Sequence, residues 1–216
     1  MSLHTRIFAR TYDRQIARAE NAGLRALRQR LLEGASGDVI EIGAGTGLNL
    51  PCYGPDVRSL TVTEPEPPML RHLERRAREH RPSARVLRAP AEDLPFDDDS
   101  FDTAVSTLVL CAVDDQPRAL RELRRVLRPG GRLLFFEHLR SGDPATARLQ
   151  DRINWLNRLV VCCDCNRPTL DSIRGAGFTV TQAEHTALPK APKFARPAIL
   201  GSATTPAHVP SQPAVP

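Results

Sequence analysis

The segment with the clearest chemical meaning is a glycine-rich stretch that directly follows a short apolar run. Residues 39–42 lead into Gly43-Ala44-Gly45-Thr46-Gly47. Glycines let the backbone approach a ligand closely, and a helix that starts after such a turn offers unpaired N–H groups. The spacing departs from the G-x-G-x-x-G of nicotinamide-binding folds, because the third glycine comes one residue early and Leu48 stands in its place. We therefore expect a cofactor-binding loop but not a nicotinamide oxidoreductase.

An acidic residue after the next apolar run is the second candidate ligand. Glu64 follows residues 60–62 and lies 17 residues after Gly47. A carboxylate at the end of a second strand accepts hydrogen bonds from both hydroxyls of a ribose, as it does in nicotinamide enzymes. Glu64 therefore predicts a nucleoside cofactor without choosing among such cofactors. The alternative is a solvated loop carboxylate.

A neighbouring acid and imidazole, Glu137 and His138, are the candidate catalytic groups. They stand at the end of a predicted strand, and ligands of open α/β sheets bind at that carboxyl edge. Successive strand residues point to opposite faces, so we expect only one of the two to reach a substrate. We predict His138 as the general base. The alternative is a pair satisfied by neighbouring backbone groups.

The five cysteines are spaced unlike a metal-binding motif. Cys162-Cys163-Asp164-Cys165 has no second cysteine pair and matches no common zinc spacing, so we predict no metal site. We place this segment in a cap over the acceptor site. Cys111, at the end of the predicted fourth strand, either lines the acceptor pocket or is a small buried thiol. The odd number of cysteines argues for reduced thiols.

Alternating apolar runs and amphipathic stretches must position these groups. The apolar runs predict strands at residues 39–42, 59–63, 84–87, 101–110, 132–137, 178–183 and 194–202. Amphipathic spacing predicts helices from Gly47, at residues 69–77 and 119–127, and, with interruptions, at 145–176. Strands that alternate with helices predict an α/β sandwich with a mostly parallel sheet.

A basic amphipathic helix is predicted ahead of the first strand, over residues 5–32. Its apolar positions recur every three or four residues, at Phe8, Tyr12, Ile16, Leu24, Leu27 and Leu31. We interpret it as a helix packed on the body with a solvated basic face; a lid or a membrane-surface contact is the alternative. The predicted organisation is a helical segment at residues 1–36, an α/β domain at 37–203 and a disordered tail at 204–216.

The composition limits the class of protein. The chain has 216 residues, 41% of them hydrophobic, and a net charge of +5, which suits one globular domain. Only Lys190 and Lys193 of the 30 basic residues are lysines, so a coding bias toward arginine explains the charge, and we expect no nucleic-acid partner. The chain lacks a signal-peptide region and a run of about 18 apolar residues, so we expect a cytoplasmic protein.

Four ordered motifs carry a family resemblance. The G-x-G-x-G loop resembles motif I of class I S-adenosylmethionine-dependent methyltransferases, of the methyltransferase type 11 family. The family's later motifs are matched by Ala91-Glu92-Asp93-Leu94-Pro95-Phe96, by Ser100-Phe101-Asp102 and by the turn that ends in Arg128-Pro129-Gly130-Gly131. The segments at residues 106–111, 136–138, 163–169 and 176–178 resemble the small methyltransferase-like group that includes alkyl-thiol S-methyltransferases.

The resemblance implies a fold, a cofactor and a set of binding residues. The fold would be a Rossmann-like three-layer sandwich whose seven-stranded sheet is parallel except for the last strand. The cofactor would be S-adenosylmethionine and the product S-adenosylhomocysteine. The residues implied to bind the cofactor are Glu41, Gly43, Ala44, Gly45, Gly47, Asn49, Glu64, Pro65, Met69, Ala91, Glu92, Asp93, Thr107 and Leu108.

The implied reaction is methyl transfer to a small, apolar acceptor, for which a thiol is the first hypothesis. A quinol C-methyltransferase, a phospholipid N-methyltransferase and a non-catalytic cofactor-binding protein are the alternatives. A nucleic-acid amine is not expected, because residues 106–109 lack the N/D-P-P-Y/F motif of such enzymes. His138 would act as base, and Glu137 would orient it or contact the methionine end of the cofactor. We expect a small-molecule acceptor, weak membrane-surface contact at most and no obligate protein partner.

Overall fold

A computed structural model describes residues 12–207 and contains one seven-stranded sheet. The strands are β1 (Gly37–Ile42), β2 (Val57–Thr63), β3 (Arg85–Leu87), β4 (Phe101–Thr107), β5 (Leu127–His138), β6 (Thr179–Ala187) and β7 (Pro197–Thr204). Their spatial order is β3-β2-β1-β4-β5-β7-β6. Neighbouring strands are parallel from β3 to β5, whereas β7 runs antiparallel to both β5 and β6. The predicted sheet, with its last strand antiparallel, is confirmed.

Helices cover both faces of the sheet. In the first helix, called α1, residues 12–19 are α-helical, Glu20–Leu24 form a π-helical turn, and Arg25–Leu32 are again α-helical. The other helices are α2 (Pro67–His80), α3 (Gln116–Val126), α4 (Pro144–Val161) and α5 (Thr169–Gly175). Asp115 begins α3 by accepting a hydrogen bond from the N–H of Arg118 at 2.9 Å, which satisfies one free donor of the first turn.

Two buried clusters fill the space between the three layers. On one face, Leu120 and Leu123 of α3 pack with Phe135 of β5. On the other face, α1 and α2 pack with Phe136, the next residue of β5. Because side chains alternate along a strand, β5 contributes a phenylalanine to each half of the core. The predicted three-layer sandwich is therefore the observed architecture.

The predicted helix after Gly47 is wrong. Residues 45–49 form turns and are followed by a short 3-10 helix, Leu50–Cys52. Gly47 has a φ of +85°, in the left-handed region, and Pro51 has no N–H to donate to a longer helix. The chain therefore passes from β1 to β2 through a compact irregular segment rather than a full crossover helix.

The two chain ends also differ from the prediction. The predicted N-terminal helix is present over residues 12–32, and the part that contains Phe8 lies outside the described residues. The predicted disordered tail starts too early, since Thr204 belongs to β7 and Thr205 is buried. The Thr205 hydroxyl donates to the carbonyl oxygen of Arg128 at 2.7 Å. Residues 208–216, the rest of that predicted tail, lie outside the described residues. Within residues 12–207, no helix has the length and apolar character needed to cross a bilayer.

Candidate active site

The candidate site lies at the carboxyl edge of the parallel strands. Strands β1 and β4 are neighbours at the centre of the sheet, and the chain leaves them in opposite directions, toward β2 and toward β5. Such a change of direction leaves a crevice outside the strand ends, where open α/β folds bind their ligands. The glycine loop follows β1, Glu64 follows β2, and Glu137 and His138 end β5. The fold thus brings the sequence-predicted groups to one edge.

The three glycines of the loop are needed for different reasons. All have positive φ values, of +54° at Gly43, +59° at Gly45 and +85° at Gly47. A side chain on Gly43 would place Cβ 2.6 Å from a methyl carbon of Val109, so this position is closed. A Cβ on Gly45 would meet nothing within 4 Å, so the Gly45 backbone faces open space. Gly45 is therefore the point where a ligand can approach the loop backbone.

Glu64 lies directly against this loop. Its carboxylate accepts hydrogen bonds from the backbone N–H groups of Gly45 and Glu66, both at 2.9 Å. The side chain is almost completely buried, and this burial raises the pKa of Glu64 to about 7. Ala44 is fixed to the same strand end, because its N–H donates to the Thr63 carbonyl oxygen at 2.8 Å. The structure therefore joins the predicted cofactor loop to the predicted ribose-binding acid.

The side chains of Glu41 and Asn49 are hydrogen bonded to other protein groups. The Asn49 amide donates to Glu41 at 2.9 Å and to the Thr107 hydroxyl at 3.0 Å, and the Tyr53 hydroxyl donates to Glu41 at 2.7 Å. Arg28 of α1 donates to the amide oxygen of Asn49 at 3.0 Å. Burial raises the pKa of Glu41. This buried network ties β1 to β4 and α1, and cofactor binding by Glu41 and Asn49 stays a prediction.

The N-terminal helix contacts the glycine loop itself. Asp13 accepts a hydrogen bond from the Thr46 hydroxyl at 2.6 Å and one from Arg76 at 2.8 Å. Arg76 also donates to the Thr46 carbonyl oxygen at 2.9 Å. A few turns later, Arg28 forms a buried ion pair with Glu20 at 2.9 Å. The helix is packed on the body, as interpreted from sequence, but it lies over the candidate cofactor loop, which its periodicity did not indicate.

The segment after β3 has two buried apolar members and two acids with different surroundings. Ala91 is buried, whereas Asp93 is exposed. The Glu92 carboxylate accepts hydrogen bonds from the N–H groups of Asp114 and Asp115 at 3.0 and 3.3 Å. Glu92 therefore holds the turn that begins α3, and ligand binding by Ala91, Glu92 and Asp93 stays a prediction.

Three other predicted cofactor residues line the same strand ends. Met69 is buried on the first turn of α2. The Pro65 carbonyl oxygen accepts a hydrogen bond from Arg88 at 3.0 Å. Leu108 has a φ of +59°, and its N–H donates to the Phe136 carbonyl oxygen at 2.7 Å. A left-handed leucine immediately after β4 turns the chain sharply back over the sheet edge.

Glu137 does not orient His138 by a direct hydrogen bond; it fixes the loop that follows β4. The carboxylate is fully buried and accepts from the Ser106 hydroxyl at 2.6 Å and from the N–H groups of Val109 and Cys111 at 3.0 and 3.2 Å. Burial raises the pKa of Glu137. These donors belong to β4 and its loop, so Glu137 makes no direct hydrogen bond to the imidazole, and its contact with the methionine end of the cofactor stays a prediction.

His138 faces two thiols. Its Nδ1 atom lies 3.4 Å from the Cys111 sulfur and 3.1 Å from the Cys163 sulfur. Burial lowers the pKa of His138, but the hydrogen-bond contact with Cys111 and the charge of Glu137 raise it overall. The Cys163 hydrogen bond and burial raise the pKa of Cys111 well above its usual value. The cluster was missed from the sequence because its members come from the end of β5 and from two loops far apart along the chain.

A cap built from α4 and the loop after it carries Cys163. Asp164 accepts hydrogen bonds from Asn154 at 2.7 Å and from Arg167 at 2.6 Å. Arg167 also donates to the carbonyl oxygens of Leu110 and Val113, which ties the cap to the loop after β4. On the outer side of α4, Trp155 is 68% exposed and therefore does not belong to the core.

Comparisons with known proteins agree with this geometry. The methyltransferase-domain family matches residues 40–135. Human thiol S-methyltransferase TMT1A is 32% identical over 213 residues, which cover 91% of this chain and 82% of that protein. Human thiol S-methyltransferase TMT1B is 37% identical over 161 residues, 71% of this chain, and the matched region spans only 65% of TMT1B. A solved structure from Thermotoga maritima, titled a SAM-dependent methyltransferase, has a TM-score of 0.68 at 24% identity, covering 95% of this chain and all of that one.

Proposed function

Because this chain belongs to the family of S-adenosylmethionine-dependent methyltransferases that includes the thiol S-methyltransferases, we propose that its acceptor is the sulfur of a small thiol. The observation that carries the proposal is the 32% identity to human TMT1A over 91% of the chain. The strand edge that would receive an acceptor also has thiol and imidazole groups, from Cys111, Cys163 and His138. The cytoplasmic location and the absence of an obligate partner stay predictions.

The residues at the loop fit the cofactor. Gly45 presents its backbone to open space, and the Glu64 carboxylate lies within hydrogen-bond distance of it. These are the groups that would hold the nucleoside part of S-adenosylmethionine, which supplies a methyl group already activated on a sulfonium sulfur. Since the methyl group is activated, the protein mainly has to align the acceptor and exclude water.

A thiol acceptor must lose its proton before or during transfer. The reference pKa of a thiol is about 8.5, so only modest help is needed near neutral pH. His138 ends β5 at the edge where the acceptor would bind, and it remains the predicted catalytic residue. The buried Glu137 would keep the loop from Val109 to Cys111 in place beside it.

Acceptor competition tests this proposal. The purified full chain would be incubated with methyl-labelled S-adenosylmethionine and an alkyl thiol, with the alcohol and the amine of the same carbon skeleton as matched controls. We expect a labelled thioether, no labelled ether or amine, and inhibition by S-adenosylhomocysteine. A quinol and phosphatidylethanolamine vesicles would be assayed in parallel. Label transfer to either of these, with none to thiols, would overturn the proposal.

A further inference from the structure

We propose that Cys111, His138 and Cys163 form a zinc site whose fourth position binds the acceptor as a thiolate. The inference rests on the proposed thiol methylation, and it replaces the sequence prediction that the chain has no metal site. Two sulfur atoms and one imidazole nitrogen, all within 4.8 Å of one another, are the donors. Thiolate and imidazole are the ligands that Zn²⁺ prefers, and three protein ligands with one open position are typical of catalytic zinc.

The distances suit a shared ion. From the usual Zn–S and Zn–N bond lengths, ligand atoms of a tetrahedral site are separated by roughly 3.5 Å. The two observed separations from His138 Nδ1 to sulfur are 3.4 Å for Cys111 and 3.1 Å for Cys163. Each nitrogen-to-sulfur separation is within a few tenths of an ångström of that value, and the two sulfur atoms lie no more than 4.8 Å apart.

The three ligands are held by a second set of contacts that does not use the donor atoms. The Cys111 N–H donates to Glu137 and its carbonyl oxygen accepts from Asp164 at 2.8 Å. The His138 carbonyl oxygen accepts from the Thr169 hydroxyl at 3.0 Å, and the Cys163 carbonyl oxygen accepts from the Asn157 amide. The site is therefore organised before an ion arrives.

Burial differs among the three residues of the cluster. Cys111 is fully buried and Cys163 nearly so, whereas His138 is partly exposed. The cluster is also close to the cofactor loop, because Val109, two residues before Cys111, fills the space next to Gly43. The acceptor would then lie between the metal and the loop.

Methyl transfer to a thiol at the open coordination position needs no side-chain base to remove the thiol proton. The acceptor sulfur displaces a water from the ion and releases its proton to solvent, because a coordinated thiol is deprotonated. A sulfur lone pair then forms the new S–CH₃ bond. The bond from that methyl carbon to the sulfonium sulfur breaks, and the sulfonium sulfur keeps its electron pair. In this state His138 is a ligand and not the base that the sequence predicts.

Metal binding can be measured without any turnover. The full chain, reduced and stripped with a chelator, would be titrated with Co²⁺ and then with Zn²⁺. We expect one Co²⁺ per chain with sulfur-to-cobalt charge-transfer absorption, displaced by Zn²⁺. Cys163→Ser and His138→Gln should lose this binding, and Cys111→Ser as well if circular dichroism shows that it folds. Cys162→Ser is the matched control, because Cys162 is exposed beside Cys163 and should leave binding unchanged.

Two results of the metal titration would overturn the inference. One is a wild-type chain that binds no Co²⁺ or Zn²⁺, and the other is equal loss of binding in Cys162→Ser and Cys163→Ser. Adding an alkyl thiol to the cobalt form should shift its spectrum, and an unchanged spectrum would refute acceptor coordination. Thiol methylation that persists at full rate in metal-free chain would refute the zinc site and leave the proposed function standing. A loaded zinc site with no thiol methylated would refute the proposed function instead.

Discussion

The Glu64 carboxylate accepts a 2.9 Å hydrogen bond from the Gly45 N–H although only 6% of Glu64 is exposed. The two residues are the acid and the open glycine of the candidate cofactor site. The loop N–H therefore donates to the same carboxylate that is predicted to accept hydrogen bonds from the ribose hydroxyls. A buried carboxylate held in this way is already positioned to bind a ligand, but its ionisation lowers the stability of the folded chain.

Stability should fall as pH rises because of this group. Burial raises the pKa of Glu64 from 4.5 to about 7, so the folded chain holds the proton more tightly than the unfolded chain. The stabilising contribution is full below pH 4.5 and is lost as pH rises to about 7. We expect a loss of up to about 3 kcal/mol across this window. Urea unfolding of wild type and Glu64→Gln at pH 5 and pH 8 measures it; an identical difference at both pH values would contradict this assignment.

Removing the carboxylate should weaken cofactor binding. A charge-assisted hydrogen bond contributes about 1.5–3 kcal/mol, so Glu64→Ala should raise the Kd for S-adenosylmethionine roughly tenfold or more. Calorimetric titration of protein freed of bound S-adenosylhomocysteine gives the value. Glu66→Ala is the control, because its side chain is exposed and its backbone N–H, which contacts Glu64, is kept. Equal affinity in wild type and Glu64→Ala would remove Glu64 from the cofactor site.

A methyl group added at Gly45 should lower cofactor affinity in addition to folding stability, and a comparison with Gly130 distinguishes the two effects. Gly45 and Gly130 both have positive φ and both leave room for a Cβ, but Gly130 lies near the amino end of β5. Each alanine variant should lose about 1–2 kcal/mol of stability from left-handed strain. Only Gly45→Ala should also lose affinity for S-adenosylmethionine, measured by titration at matched folded fraction. Similar affinities in the two variants would show that the Gly45 backbone does not contact the ligand.

The buried ion pair between Arg28 and Glu20 should contribute far more to folding stability than the exposed pair between Arg30 and Glu184. Arg28→Ala leaves Glu20 and Asn49 buried without their partner, which should cost about 3–5 kcal/mol. Arg30→Ala breaks an exposed pair with Glu184 and should cost less than about 1 kcal/mol. Chemical denaturation of both variants makes the comparison. If the two losses were equal, the Arg28 network would not be what fixes α1 to the glycine loop.

The sequence predicted the parts of the site that depend on local spacing. Gly43, Gly45 and Gly47 follow a strand directly, and Glu64 ends the next one, so parallel pairing of β1 with β2 is enough to bring them together. The roles of Glu41 and Asn49 were not predictable in this way. Whether a buried carboxylate faces a ligand or Tyr53 depends on how the irregular segment after Gly47 folds. That segment was expected to be a helix.

The cluster of Cys111, His138 and Cys163 could not be read from spacing either. His138 lies 27 positions after Cys111 and 25 positions before Cys163 along the chain. The three residues meet because β4 pairs with β5 while the cap folds over both strands. Only the placement of Cys111 and His138 at the ends of adjacent strands was a usable signal. Cys163 required knowing the path of α4, whose ends are fixed by Asp143 and by the left-handed Cys162.

The alternation of Phe135 and Phe136 across β5 has a consequence for variation in this chain. One residue inserted before Phe135 would send each following side chain to the opposite face, exchanging the two halves of the core. The same insertion would move the Glu137 carboxylate to the position of His138, beside the thiols, and would put the Phe136 ring against the Ser106 hydroxyl. The alternation of side chains along β5 therefore determines both its packing and its chemistry. Insertions and deletions consequently have to fall in the loops on either side of the strand.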